Sequence, residues 1–123
     1  MADGLNALAV AQEFLQHANE EMMHVDQVAS RITQLRGEPN FSPDGLHSRA
    51  HSEDLEGHGL LDMVKEDLVA ERVAVATYQE IIRWLGDQDP TMTEMLKGIL
   101  AVEEEHAEDL LTILQEHGVP ATV

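Results

Sequence analysis

The 123-residue chain contains no cysteine, which excludes a disulfide framework, a thiolate metal site and a thiol nucleophile. Its longest unbroken apolar run falls well short of the roughly 20 residues that a membrane-spanning helix needs. No basic stretch followed by an apolar one opens the chain, so no secretory leader is expected. A cytoplasmic protein with no membrane partner is the expectation. Basic residues are few, with 7 Lys and Arg against 24 Asp and Glu and a formal charge of −17. Such a surface repels phosphate backbones and attracts cations, so metal ions rather than nucleic acid are the expected partners. No serine stands in a nucleophile-elbow context and no glycine-rich loop suits a phosphate.

Strand signals are weak and aromatics scarce, whereas the good helix formers Ala, Leu, Glu, Gln and Met dominate. An all-α fold follows. Glycine and proline punctuate the chain into three long helices, over about 5–36, 58–85 and 90–117, within one domain spanning 1–123. Gly37 is expected to supply the left-handed stop of the first helix, with Pro39 behind it. Gly86 closes the second, Asp89 and Pro90 cap and open the third, and Gly118 and Pro120 follow it. The short link Gly86–Asp89 predicts an antiparallel hairpin. The segment 37–57 could span roughly 65 Å if extended, against about 42 Å for a helix of 28 residues. It can therefore return along the whole bundle as a crossover and let the first and second helices run parallel.

Each helix carries an apolar stripe with alternating steps of three and four. The first reads Val10, Phe14, His17, Glu21, His24, Val28, Ile32, Leu35. The second reads Leu61, Val64, Leu68, Glu71, Val75, Tyr78, Ile82, Leu85, and the third Met92, Leu96, Ile99, Glu103, His106, Leu110, Ile113. Polar residues interrupt every stripe near its middle. A glutamate in a dry seam is costly unless paired, protonated or bound to a cation. Glu21–His24 and Glu103–His106 are both Glu-x-x-His, which puts two donors on one helix face. Counted from the hairpin turn, Glu71 lies level with Glu103 and His106. Bridging carboxylates with imidazoles suit iron or manganese, with zinc as a competitor. Three carboxylates and two imidazoles exceed what one cation readily uses, whereas a bridged pair of ions can take them.

At these residues the chain resembles the bacterioferritin branch of the ferritin-like superfamily, whose members carry one Glu on each of two helices and a Glu-x-x-His on each of the other two. DLVAERVAVATYQEIIRWLGD and ILAVEEEHAEDL, between Asp67 and Leu110, are similar to the last two bundle helices. HANEEMMHVDQVASRITQLRGEPNF, His17 to Phe41, is similar to the second helix and its exit into the crossover. The resemblance implies a ferritin-like antiparallel bundle with Glu21, His24, Glu71, Glu103 and His106 as the ligands and catalytic residues of a di-iron site. The implied reaction is the ferroxidase one, oxidation of Fe(II) by dioxygen or peroxide, with ferric iron stored or detoxified.

Relatives of this kind carry a further helix with one more glutamate before the first helix read here, and residues upstream of Leu5 are not expected to supply it. The bundle is therefore expected to be completed by self-association into at least a dimer. A metal- or haem-binding protein of the same fold, holding its ligands without turnover, is the alternative. Met22 directly follows Glu21, about 100° round the helix. The resemblance implies a haem b ligand there, while an isolated methionine more often fills an interface. Tyr78 and Trp84 are expected to pack in the bundle. His47, His51 and His58 are expected to be loop histidines, and Glu104, Glu105 and Glu108 a wet face.

Overall fold

A computed structural model describes residues 2–40 and 59–120 of the protein, with side chains described from residue 7. Three helices make up the described fold: α1 (Ala2–Gln34), α2 (Leu60–Leu85) and α3 (Pro90–Glu116). The chain is all-α. Most of the expected crossover, together with His47, His51 and His58, lies outside the described residues.

The four residues between α2 and α3 make the hairpin. Gly86 takes a φ of 52°, which a glycine adopts without steric penalty. Asp89 then caps α3, its carboxylate accepting from the Met92 amide at 3.0 Å, with Pro90 at the first helical position. The same Asp89 oxygen accepts from Arg31 Nη2 at 2.7 Å, which fastens the end of α1 to the start of α3. At the opposite end of the bundle, Val10 of α1, Val64 and Leu68 of α2, and Leu110 and Leu114 of α3 form one buried cluster. Its aromatic edge is Phe14. These two anchors fix the directions. Helix α1 runs antiparallel to α3 and parallel to α2, and α3 packs against both.

The stop of α1 differs from the sequence expectation. Arg36, not Gly37, takes the left-handed conformation, with a φ of 66°. Its amide donates to the Thr33 carbonyl at 2.9 Å, and the Gly37 amide donates to the Ile32 carbonyl at 2.8 Å. That pair of bonds is a Schellman closure in which the left-handed residue precedes the glycine. Gly37 is needed for another reason. A Cβ there would lie 3.0 Å from Ile32 Cγ2, so the glycine permits a close approach rather than a special dihedral. Because the helix ends at Gln34, Leu35 falls off the stripe and is 57% exposed. The end of α3 uses the same closure with glycine in the left-handed place: Gly118 has a φ of 81° and the Val119 amide donates to the Leu114 carbonyl at 2.9 Å. Leu114, four residues beyond Leu110, is the buried end of that stripe, in place of the half-buried Ile113.

Two outcomes check this packing by chemical denaturation. Leu68→Ala should cost about 2–5 kcal/mol, the usual loss for emptying a fully buried leucine site, whereas Val69→Ala next to it on the exposed face should stay within about 0.5 kcal/mol. Arg36→Gly should stabilise the protein by up to about 1 kcal/mol, because it removes a left-handed side chain at a helix stop.

Candidate metal centre

Beyond the apolar cluster, the three stripes turn polar at one level. Glu71 on α2 and Glu103 and His106 on α3 are buried, Glu103 to 1% exposure. Glu103 and His106 stand one turn apart on the same helix and so point the same way. Helix α1 adds Glu21 and His24. Glu21, Glu71, Glu103 and His106 each offer one donor atom, and these atoms lie within 4.8 Å of one another. His106 Nδ1 is 3.5 Å from Glu21 Oε1, 3.6 Å from Glu103 Oε2 and 3.8 Å from Glu71 Oε1. On the other side, His24 Nδ1 is 3.1 Å from Glu103 Oε1 and 3.8 Å from Glu21 Oε1. Glu21 and Glu103 therefore stand between two imidazoles. Four of the five side chains singled out from the sequence share one cluster, and His24 borders it through Glu103 and Glu21.

The centre is electrostatically unsettled as bare protein. Glu21 Oε1, Glu71 Oε2, Glu103 Oε2 and His106 Nδ1 are all buried and have no hydrogen-bond partner. Burial, reinforced by the nearby Glu103, pushes the Glu71 carboxyl up to about 9 and that of Glu21 up to about 8. Burial also works to raise Glu103, but the adjoining Glu71 and Glu21 carboxyls, which take up the protons in its place, and the charges of His106 and His24 hold it below the usual carboxylate range. One carboxylate thus keeps its charge and two carry protons. A positive ion placed among these atoms would pair the orphaned oxygens and displace those protons.

A sequence model of the Ferritin-like domain family matches residues 1–117. The chain belongs to the ferritin-like domain family. No curated protein matches it significantly.

Within this ferritin-like domain, several residues at the centre were not singled out from the sequence. Glu20 Oε2 accepts from His106 Nε2 at 2.8 Å, and its other oxygen accepts from Gln16 at 3.1 Å. The bond to His106 is the main reason that Glu20 is held below the usual carboxylate range. It also fixes the ring: with Nε2–H given to Glu20, Nδ1 is the atom turned toward Glu21, Glu71 and Glu103. Histidines that bind metals usually have a carboxylate partner of this kind on the other ring nitrogen. Asp67, one turn before Glu71, is partly buried and pushed up by that burial. His17 stood on the first stripe without an assigned role. It is buried and stacks on His106, with ring centroids 3.9 Å apart. Its place on the stripe was the available signal. Nothing in spacing alone marked Glu20, because it lies off the seam and reaches His106 only through its side-chain length.

The remaining sequence expectations divide. Glu104, Glu105 and Glu108 are exposed, and Tyr78 is half-buried, raised first by burial and then by the charges of Glu103, Glu21 and Glu71. Trp84 does not pack in the bundle: it is 76% exposed, because its position falls between Ile82 and Leu85 on the outer side of α2. Met22 is 62% exposed, away from the centre. A groove of about 490 Å³ between α1 and α3 is lined by Glu20 and His24, together with Met23, Met95, Gly98 and Ile99, and gives the centre a side open to solvent.

Stability against pH follows from the two raised carboxyls. In the unfolded chain they titrate at the ordinary glutamate value of about 4.3. Their contribution to metal-free stability is complete below that value and lost as pH rises through about 8 and about 9. With a chelator present, the melting temperature should fall as pH is raised from about 6 to about 9, and Glu71→Gln should flatten the decline. A wild-type profile that rises over this range contradicts the protonation pattern.

Proposed function

We propose that this ferritin-like domain holds a pair of iron ions with Glu21, His24, Glu71, Glu103 and His106, and oxidises Fe(II) for storage or detoxification in the manner of the bacterioferritins it resembles. The observation that carries this reading is the convergence of donor atoms from Glu21, Glu71, Glu103 and His106 within 4.8 Å of one another, on residues that each leave a buried side-chain atom without a hydrogen-bond partner. Leaving such groups unpaired costs on the order of 1–3 kcal/mol each, which metal ligation would offset. When bound, iron supplies the redox chemistry, with Fe(II) giving electrons to dioxygen or peroxide. The protein's part is to position and to balance charge. Glu21 and Glu103, lying between the two imidazoles, are the carboxylates suited to bridging. His24 and His106 are suited to ending the array on either side, with Glu71 beside His106. Glu21 and Glu71, which hold protons without metal, would release them to bound cations, and their negative charge would favour the ferric state. Iron fits this mixed oxygen and imidazole set; manganese and zinc compete for it.

Self-association belongs to the same reading. Leu8, Leu15 and Met22 repeat every seven residues on α1 and are 58, 63 and 62% exposed, and Val69 and Val73 are similarly exposed on α2. Apolar stripes of this kind are usually covered, and we assign them to a second copy of the chain. Met22 belongs to this stripe, where its apolar character is explained without a prosthetic group. Haem bound through it is the competing assignment, recognised by a Soret band that Met22→Leu abolishes.

Anaerobic Fe(II) loading followed by exposure to dioxygen tests the central claim. The wild-type protein should take up two iron ions per chain saturably, in the sense of the paired site, and consume oxidant. Glu103→Ala and His106→Ala should abolish uptake of this pair together with oxidant consumption, and Glu20→Gln should weaken its uptake about 10–100-fold by loosening the His106 ring. Tight uptake without oxidant consumption would indicate the non-catalytic holder instead. Metal content unchanged in both alanine variants would sink the metal reading altogether. Sedimentation should show a dimer or larger species, reduced to monomer by Leu15→Glu with Met22→Glu.

A further inference from the structure

We propose that Glu13, His17 and Asp109 form a separate site for one divalent transition-metal cation, beside the central cluster and not part of its ligand set. His17 is 4% exposed, and neither of its ring nitrogens has a hydrogen-bond partner. A buried imidazole that makes no well-aligned hydrogen bond, and meets carboxylates only as ion-pair contacts at one nitrogen, carries a desolvation cost that a closer partner would offset. Its Nε2 faces two carboxylates, lying 3.2 Å from Glu13 Oε1 and 3.5 Å from Asp109 Oδ2. The three donor atoms lie within 4.8 Å of one another.

These separations are those of neighbouring donors around one small cation. Bonds of about 2.0–2.2 Å to imidazole nitrogen and carboxylate oxygen place adjacent donors roughly 3.0–3.5 Å apart, in octahedral or tetrahedral arrangements. The donor set, one imidazole and two carboxylates, favours first-row divalent ions over calcium or magnesium, which prefer all-oxygen shells. Glu13 and Asp109 remain partly exposed, so water can complete the coordination and a cation can arrive from solvent. Glu13 is pushed up first by burial and then by Asp109, a crowding that a cation between them would relieve.

The site lies against the central one through a single ring. His17 stacks on His106 at 3.9 Å and 20° between planes, and it also has a donor atom within 4.8 Å of those of Glu71 and His106. A cation held by Glu13 and Asp109 would fix the ring that backs His106. The inference goes beyond the proposed oxidation of iron and does not require the central cluster to turn over.

Cobalt(II) is the probe, because it binds this donor class, is not oxidised under the conditions used and reports coordination through its visible bands. Anaerobic titration of the full chain, followed by calorimetry and absorption, should show one equivalent that is weakened at least tenfold in Glu13→Gln/Asp109→Asn. That equivalent should persist in Glu71→Gln, whose change falls at the central cluster, so failure of the central reading would leave it in place. Each single variant should give an intermediate affinity, and far-UV circular dichroism should show the same helix content throughout. Equal stoichiometry and affinity in the wild type and the double variant would overturn the proposal and leave the trio as an ion-paired cap on His17.

Discussion

The structure depends on how a dry helical seam tolerates carboxylates. Glu71 and Glu103 are buried at the same level as His24 and His106, and Glu21 reaches in from α1. Neighbouring acids cannot all ionise out of water, so two of the three keep protons and the third is stabilised by those protons and by imidazoles. The bare centre is thus a compromise among groups that lack enough internal partners. Its surroundings are arranged to maintain that compromise. The apolar cluster at one end and the Arg31–Asp89 contact at the other hold the three helices in register. Glu20 and His17 fix the His106 ring from its far edge and its face.

The position of the centre along the bundle also has a physical reason. Helix α3 shares its full length with both neighbours, so its middle is the point most remote from the fraying ends. Side chains placed there inherit the rigidity of three elements at once. A site assembled from donors on three helices is only as well defined as their mutual register. Here that register is set by leucine and valine packing on one side of the site and by a charged contact on the other.

Much of this could be read from the sequence because helical periodicity is strict. Steps of three and four put Glu21, Glu71, Glu103, His24 and His106 on facing stripes, and the tight turn at Gly86–Asp89 set Glu71 against Glu103. The antiparallel hairpin and the cap at Asp89 were legible from the short link and the Asp89–Pro90 pair, and the length of segment 37–57 left room for the parallel course that α1 and α2 take. What escaped depended on side-chain reach and local backbone detail. Glu20 meets His106 from off the seam, and Asp109 finds His17 from the neighbouring helix, pairings that no single-helix pattern encodes; Glu13, four residues before His17, was visible as an i,i+4 pair but lies off the apolar stripe. The end of α1 escaped because either Arg36 or Gly37 could take the left-handed place; the close approach to Ile32 reserves the glycine for the position after it. Trp84 escaped because a bulky apolar residue suggests a core, whereas position on the helix decides which way it faces.

Asp89 carries a consequence for how the molecule opens. One oxygen of its carboxylate receives both the Met92 amide of α3 and the Arg31 guanidinium of α1, so unwinding the hairpin corner also loosens the hold on the first helix. The two events are mechanically one.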